Sequence, residues 1–431
     1  MIGLDCYRKL AFADSDYILK IQEKKLREHL VYCSKNSPYY QQIFENIETD
    51  FKKITLKQFA QLPFTEKCTI EQQNNDFCAV PKSKIVDIVM TSGTTGKPVK
   101  VIYTDNDLRR LAYNEDKSFT GCGITSKDIV LLTCTMDRCF VAGLAYFLGI
   151  RSLGAAAIRN GQSSMESHLE IILEMKPTVI VGVPGFLKNL GLFMMDNGVD
   201  PGRTLVSKLV CIGEPLRDKN LELLTIGLDL QNIWQSQIFS TYASSETATT
   251  FCECSAQQGG HLHPDLAIVE IVSEASQILP PEVAGEVIIT PLGVEGMPLV
   301  RYKTGDISFL INKPCSCGRI SQRLGPILGR KKQMLKIKGT SLYPQAIYSV
   351  LEKINAIDDY YIVVTNENNL SDNIKICASV NEPSYTKDKI LNKLQSHLRV
   401  KPEVVLLDRE TVRQQVYSKK LRKPVRFIDR R

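Results

Sequence analysis

Several things are missing from this 431-residue chain, and each absence closes off a class of function. No run of uncharged apolar residues is long enough to cross a bilayer, which takes about 20 of them in a helix. The opening, MIGLDCYRKLAFADSD, carries an acidic residue at Asp5 and has no apolar core ahead of a small-residue cleavage site. No secretory leader is expected, and a cytoplasmic location is the default. The 13 cysteines are odd in number and mostly scattered, which argues against a disulfide framework in a chain of this size. Cys134 and Cys211 sit in apolar company and read as reduced buried thiols. No internal repeat, low-complexity segment or nucleic-acid motif is found.

What is present is ordinary in bulk and uneven in distribution. Hydrophobic residues make up 43% and charged residues 23%, and the length fits two or three domains. The net charge of +7 is concentrated at the end, where Lys401 to Arg431 hold ten Lys/Arg and four Asp/Glu, a local +6. Aromatic residues are not interleaved there as in a single-strand binder, so neither nucleic acid nor membrane is an expected partner. A surface for anionic small molecules is the functional reading of that tail.

Residues 15–35 read as an amphipathic helix with Ile18, Ile21, Leu26 and Leu30 near helical spacing. NSPYYQQIFEN then breaks and restarts a helix. From about residue 85 short β-branched runs alternate with helical segments, the pattern of a parallel, doubly wound α/β sheet. After about residue 250 the strands shorten and turns dominate, predicting a small β-barrel-like part. Beyond Gly329 about a hundred residues alternate helix and strand, enough for a separate α+β domain. The expected fold is therefore α/β, with a large N-terminal domain over 1–328 and a small C-terminal domain over 329–431.

The densest chemistry lies in TSGTTGKPVK, which places Thr91, Ser92, Gly93, Thr94, Thr95, Gly96 and Lys97 after a strand. Glycines let backbone N–H groups turn inward, and the hydroxyls and the lysine add donors, so the stretch is built for an anion. It is not a Walker loop. Only two residues separate Gly93 from Gly96, and Pro98 stands where a Mg²⁺-binding hydroxyl is needed. It does not have the Rossmann glycine spacing either.

Four later stretches follow in order: CIGEPL (211–216), YASSET (242–247), RYKTGDI (301–307) and GRKKQMLKIKG (329–339). Together with the first loop they resemble the adenylate-forming enzyme superfamily. MPLVRYKTGDI followed by CSCGR and LGRKKQMLKIKGTSLYP is most similar to its phenylacetate–CoA ligase branch. The resemblance implies an AMP-forming ligase that joins a carboxylic acid to ATP as acyl-AMP and then passes the acyl group to coenzyme A. A carrier-protein thiol or an amine is the alternative acceptor, and a zinc-stabilised nucleotide-binding protein without turnover is the contrasting class. The C-terminal domain becomes a mobile lid, and a homodimer is compatible with the branch.

The resemblance also implies roles. The loop 91–97 would hold the β- and γ-phosphates, and Glu246 would help place Mg²⁺, a cation that prefers oxygen ligands. Gly213, Glu214 and Pro215 would contact adenine, with Tyr242, Ala243, Ser244 and Ser245 on the neighbouring segment. Ala243 stands where the family usually has glycine. Asp306 would accept both ribose hydroxyls, Arg330 would lie near the same ribose, and Lys332 would mark the hinge. Lys423 would pair the carboxylate with the α-phosphate, with Lys420 in reserve. Here Arg422-Lys423-Pro424 replaces the commoner Gly-Lys-Ala. Phe140, Ala142 and Tyr146, with Tyr242, are the candidate walls of the acyl pocket, a hint of an aryl or arylacetic acid.

One subset of cysteines stands apart. Cys254 is followed by six residues and His261, and Cys315-Ser-Cys317 comes some fifty residues later. Three thiolates and an imidazole make a closed tetrahedral set of the kind that holds structural zinc. His263 is an alternative to His261.

Overall fold

The computed structural model describes residues 9–91, 99–337, 340–366, 372–382, 384–398, 401–417 and 424–431. They form two compact units. The first runs to Thr304 and adds Ser308–Ile327, and the second comprises Gly305–Ile307 with Leu328–Arg431.

The first unit begins with the helix Ser15–Asn36, started by Asp14, whose carboxylate accepts from Tyr17 N at 2.8 Å. Its buried stripe includes Ile18, Leu26, Leu30 and Cys33. Pro38 opens the next helix, Pro38–Phe44, at a position where its missing N–H costs nothing. Strand β1 (Ile85–Met90) then pairs antiparallel with β2 (Lys100–Thr104). Strand β2 is not among the elements that the sequence sets apart.

Thr104 caps the helix Asp105–Gly121. Its Oγ1 accepts from Asp107 N at 3.1 Å, while Asp107 Oδ2 accepts from Thr104 N at 2.9 Å. Such a reciprocal cap is worth about 1 kcal/mol. This helix buries polar residues as well as apolar ones. Arg110 donates to the carbonyls of Leu292, Ala248 and Leu266, and Asn114 exchanges hydrogen bonds with the backbone of Thr250. The helix Val141–Leu153 lies against it at Gly149, where a Cβ would come within 2.2 Å of Glu115 Cβ. Only glycine allows that approach.

The central sheet contains β3 (Ile129–Leu132), β4 (Ala156–Arg159), β5 (Val179–Gly182), β6 (Lys208–Ile212), β7 (Gln237–Ser244) and β8 (Thr249–Cys252). Its order is β4-β3-β5-β6-β7-β8, parallel throughout except for the antiparallel edge pair β7–β8. Every residue of β5 is buried, as expected of a central strand covered on both faces. Cys134 and Cys211 are buried here, in keeping with the sequence.

Short antiparallel strands follow: β9 (Gly260–His261), β10 (Ala267–Val272), β11 (Gly285–Pro291), β12 (Tyr302–Ser308), β13 (Leu310–Ile311) and β14 (Arg323–Leu324). β10 pairs with β11, and β13-β14-β9 form a small sheet of their own.

In the second unit, Asp306 and Ile307 pair with β15 (Gly329–Arg330). A separate four-stranded sheet joins Ile357–Asn366 to Asp372–Val380, with Phe427–Asp429 and Glu403–Leu406 parallel at its edges. Ile362 and Ile376 meet Leu351 and Leu394 from the helices Pro344–Leu351 and Lys387–Leu398, which closes a core for this unit.

Candidate functional site

The anion loop is framed by the β1–β2 hairpin. Thr91 N donates to Val99 O at 2.9 Å, and Val99 N donates to Thr91 Oγ1 at 3.0 Å. The neck is thus closed by the first hydroxyl of the motif. Ser92, Gly93, Thr94, Thr95, Gly96 and Lys97 lie outside the described residues. A P-loop runs from strand into helix, whereas this loop returns into a strand, so the architecture also separates it from that class.

Glu246 sits in the turn between β7 and β8. Its Oε2 accepts from Ser244 Oγ at 2.9 Å, and its Oε1 lies 3.6 Å from Lys67 Nζ. Tyr103, in β2, donates its hydroxyl to Ser245 O at 2.7 Å. That bond ties the Glu246 turn to the hairpin carrying Thr91. Lys67 went unnoticed in the sequence, because no local spacing links it to a residue so far along the chain.

The parallel strands present their carboxyl ends on the same side, the position where open α/β sheets take ligands. Gly213 follows β6 with φ of 77°, in the left-handed region. Glu214 accepts from Gly185 N at 3.1 Å, and Pro215 is half-buried. In β7 the half-buried Tyr242 ring stacks on Phe251, with centroids 6.4 Å apart, and Ala243 is exposed opposite Thr250. Phe140 precedes the helix Val141–Leu153, with Ala142 half-buried on it. Tyr146 belongs to the core, 2% exposed and tilted against Phe119 at 6.0 Å.

In the second unit Asp306 faces Arg330 across the strand pair, with Arg330 Nε 3.3 Å from Asp306 Oδ1. Lys332 is exposed, and its carbonyl accepts from Arg431 Nη2 at 3.0 Å. Lys423 and Lys420 lie outside the described residues.

The remaining site is complete in itself. One ligand atom from each of Cys254, His261, Cys315 and Cys317 lies within 4.8 Å of all the others. Cys254 Sγ is 3.6 Å from Cys315 Sγ, and Cys317 Sγ is 3.4 Å from His261 Nε2. His261 is the histidine in the cluster, while His263 turns its Nε2 to Ser118 Oγ at 3.3 Å. Burial, aided by the charges of Arg319 and Arg323, pushes the His261 imidazole down to about 3. The ring is therefore neutral, the form that ligates. Burial pushes the Cys254 thiol up to about 12, with the neighbouring thiols adding to the rise. For Cys317 burial acts in the same direction, but hydrogen bonds from Arg319 outweigh it and hold the thiol below its usual range. Ser321 Oγ, 3.2 Å from His261 Nδ1, orients the ring from behind. The donor set and its support fit a four-coordinate zinc with no open position.

Comparison with known proteins adds a second line. The family described as AMP-binding enzyme matches residues 11–294, and the AMP-binding enzyme C-terminal domain matches residues 339–431. A phenylacetate-coenzyme A ligase of Thermus thermophilus is 29% identical over 371 residues, covering 85% of this chain and 82% of its own length. Protein CapK of Staphylococcus aureus is 23% identical over 398 residues, covering 89% of this chain and 82% of its own. Among solved structures, a 2-hydroxyisobutyryl-CoA ligase in the postadenylation state has a TM-score of 0.84 at 20% identity, over 96% of this chain and 89% of that one. At that identity the likeness speaks for the fold. No helix among the described residues is long and apolar enough to cross a membrane.

Proposed function

The chain belongs to the AMP-binding enzyme family, and on that premise we propose that it is an ATP-dependent carboxylate–CoA ligase, similar to the phenylacetate–CoA ligases. One oxygen of a small-molecule carboxylate bonds to the α-phosphorus of ATP while the bond to pyrophosphate breaks. The sulfur of coenzyme A then bonds to the acyl carbon, AMP leaves, and the thiol proton passes to solvent. The carrier-protein alternative is not favoured, because four matched relatives are coenzyme A ligases.

The observation that carries this reading is the Tyr103–Ser245 hydrogen bond. It ties the turn that carries Glu246 to the hairpin that frames the anion loop. In this reading Thr91 to Lys97 receive the β- and γ-phosphates. Glu246 would hold Mg²⁺ in place of Lys67, and the cation would neutralise charge on the phosphate oxygens. Gly213, Glu214 and Pro215 receive adenine alongside Tyr242, Ala243, Ser244 and Ser245. Asp306 receives the ribose hydroxyls with Arg330 beside it. Lys332 is the hinge position, and Lys423 holds the carboxylate against the α-phosphate. Phe140, Ala142 and Tyr242 wall the acyl group, while Tyr146, expected as a fourth wall residue, belongs to the core. Cys254, His261, Cys315 and Cys317 would hold structural Zn²⁺, and the enzyme would work in the cytoplasm.

Pyrophosphate release over a panel of aromatic and aliphatic acids, with and without coenzyme A, tests the proposal. Acid-dependent release with thioester formed from coenzyme A is expected. No release with any acid would remove the ligase reading, and release without a coenzyme A thioester would move the acceptor elsewhere.

A further inference from the structure

Arg217 and Glu253 are charged, buried and used by none of the roles above. Their side chains are 6% and 2% exposed, and Arg217 Nε donates to Glu253 Oε1 at 2.7 Å. Both groups also grip neighbouring segments. Arg217 Nη1 donates to Leu221 O at 3.1 Å, and Nη2 donates to Ile238 O at 3.4 Å and to Gln257 Oε1 at 3.3 Å. Glu253 Oε2 accepts from Ser240 N at 2.8 Å, and Oε1 accepts from Gly259 N at 3.4 Å.

The positions of these partners in the chain matter. Arg217 lies just past Pro215, in the connection that leaves β6. Ser240 precedes Tyr242 on β7. Glu253 immediately precedes Cys254, and Gly259 lies just ahead of His261. One ion pair therefore touches the segments that carry two of the four cluster ligands and both segments that flank the proposed adenine site. A cavity of about 20 Å³ beside it is lined by Arg217, Ser240, Tyr242, Phe251, Glu253 and Gly259, so the pair and Tyr242 share one cavity.

We propose that Arg217 and Glu253 are positioning residues that couple the Cys254–His261–Cys315–Cys317 cluster to the 213–215 turn and to Tyr242. The nucleotide part of this inference rests on the ligase reading above. Burying two charges is costly even when they are paired, and an apolar pair of the same volume would often serve stability as well. What such a pair offers instead is direction: Nε meets Glu253, Nη1 and Nη2 hold Leu221, Ile238 and Gln257, and the second carboxylate oxygen holds Ser240 N, so one charged pair ties several segments in fixed geometry. If the cluster shifts, Glu253 shifts with Cys254, and the guanidinium of Arg217 follows. The consequence falls on nucleotide binding, because neither residue is assigned to the reacting atoms.

The test uses full-length wild type, Cys315→Ser, Glu253→Gln and the charge-neutral double variant Arg217→Met/Glu253→Gln. The last leaves no unpaired buried charge and guards against a variant that fails to fold. Amide hydrogen exchange is followed over 213–224 and 240–244. The expected result is exchange faster by about tenfold or more in all three variants, confined to those segments and the cluster loops. Calorimetric titration of ATP onto the double variant should show Kd raised by about tenfold, with kcat at saturating ATP within about twofold of wild type. Arg217→Lys, which keeps the charge and loses the fork, should fall between. Wild-type exchange over 213–224 in the double variant or in Cys315→Ser would overturn the coupling, and so would acceleration spread evenly over the whole first unit. If wild type binds no ATP, the ligase reading has failed, while the exchange result still decides the coupling.

Discussion

The Cys/His cluster and the carboxylates assigned to ATP are built on opposite principles. In the cluster the four ligand atoms converge within 4.8 Å of one another, and Arg319 Nη1 donates to Cys317 Sγ at 3.4 Å. Glu246 and Asp306, by contrast, each face a cation from their own chain: Lys67 at 3.6 Å and Arg330 at 3.3 Å. A structural metal site must be finished by the fold, since the ion's free energy is part of folding. A substrate site must hold its charges without committing them. Partly exposed ion pairs worth about 0–1 kcal/mol do this, because an incoming Mg²⁺ or ribose can replace them at little cost.

The largest expected effect probes the reacting end of that contrast. Lys423→Ala should slow adenylation by about 10²–10³-fold while ATP binding changes little, because the role is electrostatic and confined to the transition state. Single-turnover acyl-AMP formation measures it, and unchanged adenylation would remove Lys423 from its role. Next comes the finished site. Cys315→Ser should abolish metal stoichiometry and lower Tm by about 3 °C or more, as a loss of about 2 kcal/mol does in a unit of this size. Elemental analysis alongside calorimetry reads both, and unchanged stoichiometry would remove Cys315 from the cluster.

Asp306→Asn should raise KM for ATP by about tenfold, the cost of one to two charged hydrogen bonds, and should erase most of the discrimination against 2′,3′-dideoxy-ATP. Retained discrimination would place the ribose elsewhere. The smallest effect belongs to the displaceable pair. Lys67→Met should lower the Mg²⁺ concentration giving half-maximal rate by only about two- to fivefold, since a partly exposed pair is weak. A rise in that concentration would mean that Lys67 helps Glu246 rather than competing for it.

The same contrast decides what the sequence could reveal. The proposal of an anion loop rests on glycines, hydroxyls and a lysine that are consecutive, so composition alone suggests it. The alternation of apolar strands and helices from residue 85 to 245 likewise announces the parallel sheet. The cluster was legible through Cys315-Ser-Cys317, but the choice between His261 and His263 was not. His261 is placed by β9 pairing with β14, and His263 is drawn away by Ser118 on a distant helix. Lys67 and the Arg217–Glu253 pair left no trace, because an ion pair between remote segments has no periodicity to read. Strand β2 was overlooked because its short run follows the loop so closely that it reads as the loop's tail.

The account stands on one bond, the one between a carboxylate oxygen and the α-phosphorus. An accepted acid labelled with ¹⁸O in its carboxylate, turned over with ATP and coenzyme A, should leave one ¹⁸O in the AMP, because thiolysis cleaves the acyl carbon–oxygen bond and not the phosphorus–oxygen bond. Label found in pyrophosphate or inorganic phosphate, or ADP in place of AMP, would contradict it.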